Sequence, residues 1–141
     1  MGLPLTVSSE RNLGRLVREL AETWSLTWTS KDTRAASRFY SKAPDLVFFD
    51  IGPIHVGWDQ YRKNIEKSFS EIESLSLKLN DDLRVTVVGK MALTTATGHM
   101  SSKSRDGKSS DLDIRFTAVW EKKAKDKVWQ VVHDHWSRAR A

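Results

Sequence analysis

The sequence has no cysteine among its 141 residues, which excludes disulfide bonds, thiolate metal sites and a cysteine nucleophile. It also lacks a glycine-rich phosphate loop after a predicted strand and a Gly-x-Ser-x-Gly nucleophile elbow. No apolar run approaches the ~20 residues of a membrane span, and residues 1 to 7 do not resemble a secretory signal. We therefore expect a soluble, cytoplasmic protein with no cofactor, no metal and no membrane partner.

Charge of one sign is in modest excess. The 23 lysines and arginines outnumber the 18 acidic residues, which leaves a net charge of +5. The basic residues are spread along the chain, apart from a lysine group at 122 to 127, typical of a solvated hairpin turn, and a basic tail at 138 to 141. Because no basic and aromatic motif of a known module is present, the pattern predicts no nucleic-acid partner.

The length fits a single domain, which we place at residues 1 to 141 with an ordered core at about 9 to 137. Six tryptophans are the unusual feature of the composition. Each has a large apolar surface and one polar N–H group, so several are expected to line a cavity or an interface.

Apolar residues recur at three- and four-residue spacing in three segments, which predicts three helices. The first runs from about 9 to 30. The second is short, begins after Asp32, which can cap it, and stops before Pro44. The third covers about 58 to 73. Two short strands, at 46 to 51 and 54 to 56, precede it.

After the third helix the pattern is that of four strands, at 76 to 79 or 83 to 88, then at 90 to 101, 111 to 121 and 128 to 137. Helices followed by a long antiparallel meander predict an α+β fold in which a curved sheet wraps the helices.

The end of the chain carries a more specific pattern, Arg115-Phe116-Thr117 on one predicted strand and the segment from Trp129 to Ser137 on the last. This resembles the closing signature of SnoaL-like domains, an Arg-x-Thr strand, a charged turn and a Trp-x-x-x-His-x-His-x-Ser strand. The resemblance covers about residues 10 to 137. It departs from the family pattern where Ser137 runs into Arg138 and lacks the x-Pro that often follows.

The resemblance implies the cone-shaped α+β barrel of the nuclear transport factor 2-like, ketosteroid isomerase-like superfamily. In this cystatin-like fold, three N-terminal helices pack in a curved, mainly antiparallel sheet. Relatives commonly pair through the convex sheet face, which implies a homodimer. A related hub, the association domain of calcium/calmodulin-dependent kinase, lines its pocket with arginines whose counterparts here are Ala118 and Trp136. The exchange implies an apolar pocket for a small hydrophobic organic molecule.

Strand side chains alternate between the two faces of a sheet. The residues expected to face the interior are Phe116, Ala118, Trp120, Asp134 and Trp136. Arg115, His133 and His135 then face outward, and a hairpin symmetric about Ala124 would place Arg115 opposite His133. The first interpretation of His133 and His135 is therefore a structural or interface role. A catalytic or ligand-binding role stays open, and two histidines without a third ligand do not predict a metal site.

Asp50 ends a predicted strand at a turn, similar to the position of the general-base aspartate of ketosteroid isomerases. A carboxylate in apolar surroundings has a raised pKa, which suits a group that takes and returns a proton. The same resemblance places the oxyanion donors of those enzymes near Trp24 and Phe116. Neither side chain reproduces those donors, which argues against steroid isomerisation by the known constellation.

Asp134 is the second acid expected at the pocket, and two carboxylates in a dry site can divide the acid and base roles. His55 lies near Asp50 in sequence and is a candidate proton carrier. The structural alternative is that Asp50 caps the turn at Gly52 and Pro53, while Asp134 pairs with an arginine or a backbone N–H group.

The candidate ligand-binding residues are aromatic: Trp24, Trp28, Tyr40, Phe48, Trp58, Tyr61, Phe116 and Trp136. Core packing is the alternative for each one, but together they exceed what a core of this size needs.

Two functions follow. The first is a cofactor-independent isomerase, cyclase or dehydratase that uses Asp50 as base and Asp134 or His55 as its partner. The second is a non-catalytic ligand-binding or dimerisation module of the same fold. A buried acid without a charged partner favours the enzyme, whereas an acid paired with arginine favours the module.

Overall fold

The computed structural model describes residues 7 to 123 and 128 to 139, with side chains from residue 12 onward. The helices are α1 (Val7–Thr29), α2 (Thr33–Ser37) and α3 (Trp58–Ser70). The strands are β1 (Val47–Phe49), β2 (Ile54–Val56), β3 (Ile72–Leu79), β4 (Arg84–Val88), β5 (Met91–Ser104), β6 (Ser109–Lys123) and β7 (Val128–Arg138). This order confirms the α+β class and the helices packed in a curved sheet.

The three helices form where the apolar periodicity places them. Val17, Ala21, Trp24 and Trp28 form the buried stripe of α1, three and four residues apart. The carboxylate of Asp32 accepts a hydrogen bond of 2.9 Å from the Ala35 N–H group, so the predicted cap of α2 is confirmed.

Helix α3 begins after Gly57 and ends earlier than predicted. The φ angle of Gly57 is 78°, and a Cβ atom there would lie 3.1 Å from the Pro44 carbonyl oxygen, so the position requires glycine. Ile72, predicted to be helical, lies instead on β3, where it pairs with Ser104. The position of Ile72 fits both the helical spacing of α3 and the alternation of β3. The pairing with Ser104 places it on the strand.

The sheet has the order β2-β1-β7-β6-β5-β3, and β4 also pairs with β5. β1 runs parallel to β7, and the other pairs are antiparallel. Both alternatives for the first strand of the meander are therefore strands. They share one edge of β5, where β4 covers residues 91 to 95 and β3 covers residues 98 to 104.

The gap between β3 and β4 is bridged by their connecting turn. The Asp82 carboxylate accepts the Thr97 N–H group at 3.0 Å, and the Asn80 N–H group donates to the Thr97 carbonyl at 2.9 Å. A side chain thus replaces a ladder hydrogen bond at Thr97, one of the two β5 residues, Ala96 and Thr97, that pair with neither strand, and we call this point the crease.

A β-bulge changes the pairing of the last hairpin. His133 lies opposite Val119, but Trp120 lies opposite Val131, so Val132 is the extra residue on β7. The expectation that Arg115 faces His133 is wrong, because Lys123 already pairs with Val128, three positions further along than symmetry about Ala124 requires, and the bulge adds one more. Arg115 lies opposite Ser137 and donates a 2.9 Å hydrogen bond to its hydroxyl. The predicted charged turn is described only at Lys122 and Lys123, which end β6; the rest lies outside the described residues.

The core lies on the concave side of the sheet against α1 and α3. Ile114, Phe116, Ala118 and Trp120 of β6 are all buried, as the alternation predicts. Of the described helices, none is long and apolar enough to cross a membrane.

Candidate functional site

A pocket of about 310 Å³ lies between α1, α3 and the concave face of the sheet. Its walls are mostly apolar, and the residues in them that carry polar side-chain atoms are Asp50, Ser68, Tyr61, Trp28 and Trp136. The lining residues are Trp28, Asp50, Ile51, Tyr61, Ile65, Ser68, Phe69, Ile72, Leu75, Leu77, Met100, Leu112 and Trp136. A small volume with few polar groups suits a small, largely apolar organic molecule.

Asp50 is the only carboxylate in that lining. It follows β1, and its backbone N–H donates to the Pro53 carbonyl at 2.9 Å, which closes a turn that contains Gly52. One carboxylate oxygen accepts the Ile51 N–H group at 2.8 Å, and the side chain is 27% exposed. This contact is with the residue next to Asp50 and not with Gly52 or Pro53, and it occupies Oδ1.

His55 lies beside Asp50 on β2 and is 1% exposed. Its Nε2 atom is 3.7 Å from Asp50 Oδ2, and its Nδ1 atom is 3.0 Å from the Asn64 amide nitrogen. The ring stacks on Tyr61 with centroids 4.5 Å apart and planes at 8°. β2 pairs with β1 so that His55 lies opposite Phe48, which directs both side chains inward.

Asp134 lies behind the pocket wall and is completely buried. The Tyr40 hydroxyl donates to its Oδ2 atom at 2.6 Å, and the Tyr61 hydroxyl donates to the same oxygen at 3.3 Å. Trp24 extends the chain by donating from Nε1 to the Tyr40 hydroxyl at 3.1 Å. Asp134 therefore meets the pocket through Tyr61, which lines it.

The environment of Asp134 raises the pKa of its carboxyl group from 3.8 to about 7. Burial is the main cause, because the charged form loses its hydration. Hydrogen bonding by Tyr40 opposes the rise, and so does the Trp136 indole, although its N–H lies outside hydrogen-bond geometry. The other oxygen, Oδ1, has no hydrogen-bond partner within residues 7 to 123 and 128 to 139. Near neutral pH both protonation states are populated.

Tyr40 reaches Asp134 because the chain after α2 pairs with β7. The Val131 N–H group donates to the Phe39 carbonyl at 2.6 Å, and the Ser41 N–H group donates to the Val131 carbonyl at 3.0 Å. This bridge holds the Tyr40 ring next to the bulge, which in turn directs Asp134 inward.

A family model for the SnoaL-like domain matches residues 17 to 141 of the sequence. The chain belongs to the SnoaL-like domain family. No curated protein sequence matches it significantly.

Solved structures support the fold of this SnoaL-like domain. A nuclear transport factor 2-like superfamily protein from Salmonella enterica serovar Typhimurium superposes with a TM-score of 0.86 at 20% identity, over 93% of this chain and 94% of that one. A candidate dehydratase from Streptomyces avermitilis has a TM-score of 0.78 at 18% identity, over 93% and 99%. A ketosteroid isomerase-like protein from Erwinia carotovora has a TM-score of 0.75 at 15% identity, over 91% and 97%.

Three of the eight predicted ligand-binding aromatics line the pocket of the SnoaL-like domain: Trp28, Tyr61 and Trp136. The other five form the packed core beside it: Trp24, Tyr40, Phe48, Trp58 and Phe116. The two groups are continuous, since Trp24 packs against Trp136 with centroids 5.6 Å apart. The excess of aromatic residues in the sequence predicted a pocket. Only the packing in the structure distinguishes the aromatic residues that line it from those that form the core.

His133 and His135 lie on the outer face of the sheet, away from the pocket. His133 Nδ1 is 2.7 Å from the Val47 carbonyl oxygen, so it donates a hydrogen bond that ties β7 to β1. Both rings pack edge-on against Phe49. Within the described residues, no group of three histidine or acidic side chains is arranged to hold a metal ion. These contacts join β7 to β1 and favour the structural interpretation of both histidines.

The sequence interpretation did not identify Asn64 or the aliphatic wall of the pocket. Asn64 follows Tyr61 by three residues on α3, a spacing that places both side chains on neighbouring positions of one helix face. That spacing was the available signal for Asn64. The wall from β3, β5 and β6 depends on strand pairing over long separations, which local patterns do not encode.

Proposed function

We propose that this protein is a cofactor-independent enzyme that transfers protons on a small hydrophobic molecule, as an isomerase, cyclase or dehydratase. The observation that carries the proposal is a single carboxylate, Asp50, on the wall of a mostly apolar pocket. A carboxylate there meets substrate in a water-poor space, where a proton transfer faces little competition from solvent.

In the proposed step, Asp50 removes a proton from a carbon next to a carbonyl group of the substrate. The electron pair moves into the carbonyl, which gains negative charge on oxygen, and Asp50 then returns the proton to another carbon. The step needs a hydrogen-bond donor for that oxygen. Oδ2 of Asp50 is available as the base because the Ile51 N–H group occupies Oδ1.

Two groups support the donor role. Tyr61 lines the pocket, and its hydroxyl donates to Asp134 through a long hydrogen bond of 3.3 Å. When Asp134 carries its proton it can donate to the Tyr61 oxygen, which frees the Tyr61 proton for the substrate. The Trp28 indole N–H group also has no partner among the residues described, and Trp28 lines the pocket.

The surroundings of the acids favour the enzyme over the non-catalytic module. Asp134 is bonded by neutral tyrosines and not by an arginine, and burial keeps its protonated form populated. Solved structures of the same fold include proteins named as candidate dehydratases and as ketosteroid isomerase-like, and proton transfer is chemistry that such a scaffold accommodates.

The test is hydrogen exchange on carbon. The purified protein is mixed in D₂O with a panel of small unsaturated hydrophobic ketones, and deuterium incorporation next to the carbonyl is followed by NMR. We expect accelerated exchange for at least one ketone, and we expect Asp50→Asn to reduce it by about 100-fold or more, the usual contribution of a general base.

Asp45→Asn is the matched control, since Asp45 is an exposed aspartate five positions earlier. It should exchange the ketone at the wild-type rate. Binding is measured in parallel by quenching of tryptophan fluorescence, because Trp28 and Trp136 line the pocket. Ligand binding without any exchange would reject the enzyme and leave the binding module.

A further inference from the structure

Two side chains reach from α3 to the strand that carries His55. The Gln60 amide oxygen accepts the Val56 N–H group at 2.7 Å, and one helical turn later the Asn64 amide nitrogen lies 3.0 Å from His55 Nδ1. Both contacts join the same face of α3 to β2. They differ in direction, because Gln60 uses its oxygen and Asn64 uses its nitrogen.

The direction of the Asn64 contact determines where the proton of a neutral His55 resides. In the orientation that Asn64 has here, its amide nitrogen faces Nδ1, and an amide nitrogen only donates, so Nδ1 accepts and carries no proton. The single proton of the neutral ring then lies on Nε2. That atom is 3.7 Å from Asp50 Oδ2 and has no hydrogen-bond partner within the described part of the chain.

The His55 ring is held so that this N–H group keeps its direction. The ring is 1% exposed and lies flat on Tyr61, with planes at 8°. Rotation of the ring would break both the stacking and the Asn64 contact. Asp50, in contrast, is 27% exposed and has room to close the gap of 3.7 Å, as catalytic contacts often do when a ligand arrives.

We propose that Asn64 is a positioning residue that fixes the His55 proton on Nε2, so that His55 donates to Asp50 and keeps this carboxylate directed at the pocket. His55 is then a hydrogen-bond donor to the base and not a carrier that accepts the substrate proton. The inference rests on the proposed role of Asp50 and deepens it.

The geometry around the pair agrees with this role. A second, polar cavity of about 300 Å³ lies on the other side of Asp50 and is lined in part by His55, Asn64 and Lys67. Asp50 thus separates an apolar space from a polar one. A donor on the polar side holds the carboxylate against rotation away from the substrate.

The test is ¹⁵N NMR of the His55 ring at a pH well above the usual histidine pKa of about 6.5. In the wild-type protein we expect a protonated Nε2 and an unprotonated Nδ1, which resonate far apart. Asn64→Asp replaces the donor by a carboxylate that only accepts, so the proton should move to Nδ1. Gln60→Glu is the control, because it makes the same change one turn earlier, keeps the acceptor for Val56 and should leave the ring unchanged.

The Asn64→Asp variant should also slow ketone exchange by about 10-fold to 100-fold, the range typical of a lost orienting hydrogen bond. Asn64→Leu provides a second measurement if Asn64→Asp does not fold, and it should give a mixture of both ring tautomers. The inference is overturned by a wild-type ring protonated on Nδ1, by Nε2 protonation that persists in both variants, or by unchanged exchange after the proton has moved.

Failure of this inference and failure of the proposed function give different results. If Asp50→Asn leaves exchange intact while the ring protons behave as expected, Asp50 is not the base and only the tautomer assignment survives. If Asp50→Asn abolishes exchange while the wild-type ring carries its proton on Nδ1, Asp50 remains the base and Asn64 has no positioning role.

Discussion

On the two faces of the sheet, the pKa of an aspartate is shifted in opposite directions. On the inner face, Asp134 is fully buried, bonded by tyrosine hydroxyls, and its pKa is raised to about 7. On the outer face, Asp111 is exposed and accepts hydrogen bonds from Ser101 at 2.7 Å and from His99 at 3.0 Å. The Ser101 hydroxyl, with His99 as the second cause, lowers the pKa of Asp111.

For these two aspartates, burial from water affects the pKa of the carboxyl group more than its hydrogen-bond partners do. Both aspartates accept short hydrogen bonds that favour the ionised form, yet only the buried one binds its proton near neutral pH. The inner face has no charged partner within hydrogen-bond distance of Asp134 among the described residues. An inner carboxyl can therefore act as an acid, whereas an outer one remains a fixed charge.

The largest expected difference between the inner and outer sides of the sheet is in the stability lost when a packed side chain is truncated. Trp24 is completely buried and touches Phe116, Trp120 and Trp136 with ring centroids less than 6 Å apart. Trp24→Ala should cost about 3 to 5 kcal/mol of unfolding free energy. Val88 lies on the outer surface at 71% exposure, and Val88→Ala should change stability by less than about 0.5 kcal/mol. Urea denaturation measures both, and similar losses would remove the contrast.

The next effect is on the pH dependence of stability. The folded state holds the Asp134 proton up to a pH of about 7, whereas 3.8 is the ordinary pKa of the group. Between these values the folded state binds more protons, so this contribution to stability falls as pH rises, by at most about 4 kcal/mol.

Asp134→Asn should remove this fall, so the difference in unfolding free energy between wild type and variant should change across that window and be constant outside it. Thermal or urea unfolding at a series of pH values measures it. Asp111→Asn on the outer face is the control and should not show this window. A difference that is constant from pH 4 to pH 8 would contradict the raised pKa of Asp134.

A smaller effect should sharpen the account of Asp134 itself. The Tyr40 hydrogen bond favours the ionised carboxylate, so Tyr40→Phe should raise the pKa of Asp134 further, by about one to two units. Tyr61→Phe should raise it less, since its contact is 3.3 Å long against 2.6 Å for Tyr40. Carbon NMR of the labelled carboxyl group measures both shifts, and an equal or reversed order would mean that distance does not rank these bonds.

The smallest effect is expected on the outer face. Hydrogen bonds to Asp113 and then Asp111 raise the pKa of His99, so the stabilisation they provide is present at low pH and is lost as pH rises through the folded pKa. Because all three groups are exposed, His99→Gln should have little effect, and salt should reduce even that. A large, salt-independent loss of stability in this variant would show that the outer cluster is more than a solvated ion pair.

Much of the fold could be predicted from local pattern. The apolar stripe of α1, the Asp32 cap and the bounds of Ile54–Val56 follow from spacing and residue type, which act over a few residues. The end of α3 could not be predicted, because Ile72 satisfies a helical and a strand pattern equally well. Its pairing with a residue 32 positions away decides the outcome.

The site was less predictable because its residues depend on the bulge in β7. Trp129 and Val131 are buried at odd positions, whereas Asp134 and Trp136 are buried at even positions. A single alternation rule for the whole of β7 therefore assigns the residues on one side of the bulge to the wrong face of the sheet. Alternation placed Asp134 and Trp136 correctly, but the contact of Asn64 with His55 depends on the spatial neighbourhood of β2 and α3.

The crease between β3 and β4 divides one edge of β5 into a part beside the pocket and a part away from it. The β3 side of it contributes Leu75, Leu77 and the facing Met100 to the pocket, whereas β4 contributes none of the lining residues. At Thr97 the turn between β3 and β4 replaces the ladder with two hydrogen bonds to Asp82 and two from Asn80. Because β5 stays paired with β6 through this point, the crease interrupts only one edge of β5, and the pocket takes its strand wall from β3 and not from β4.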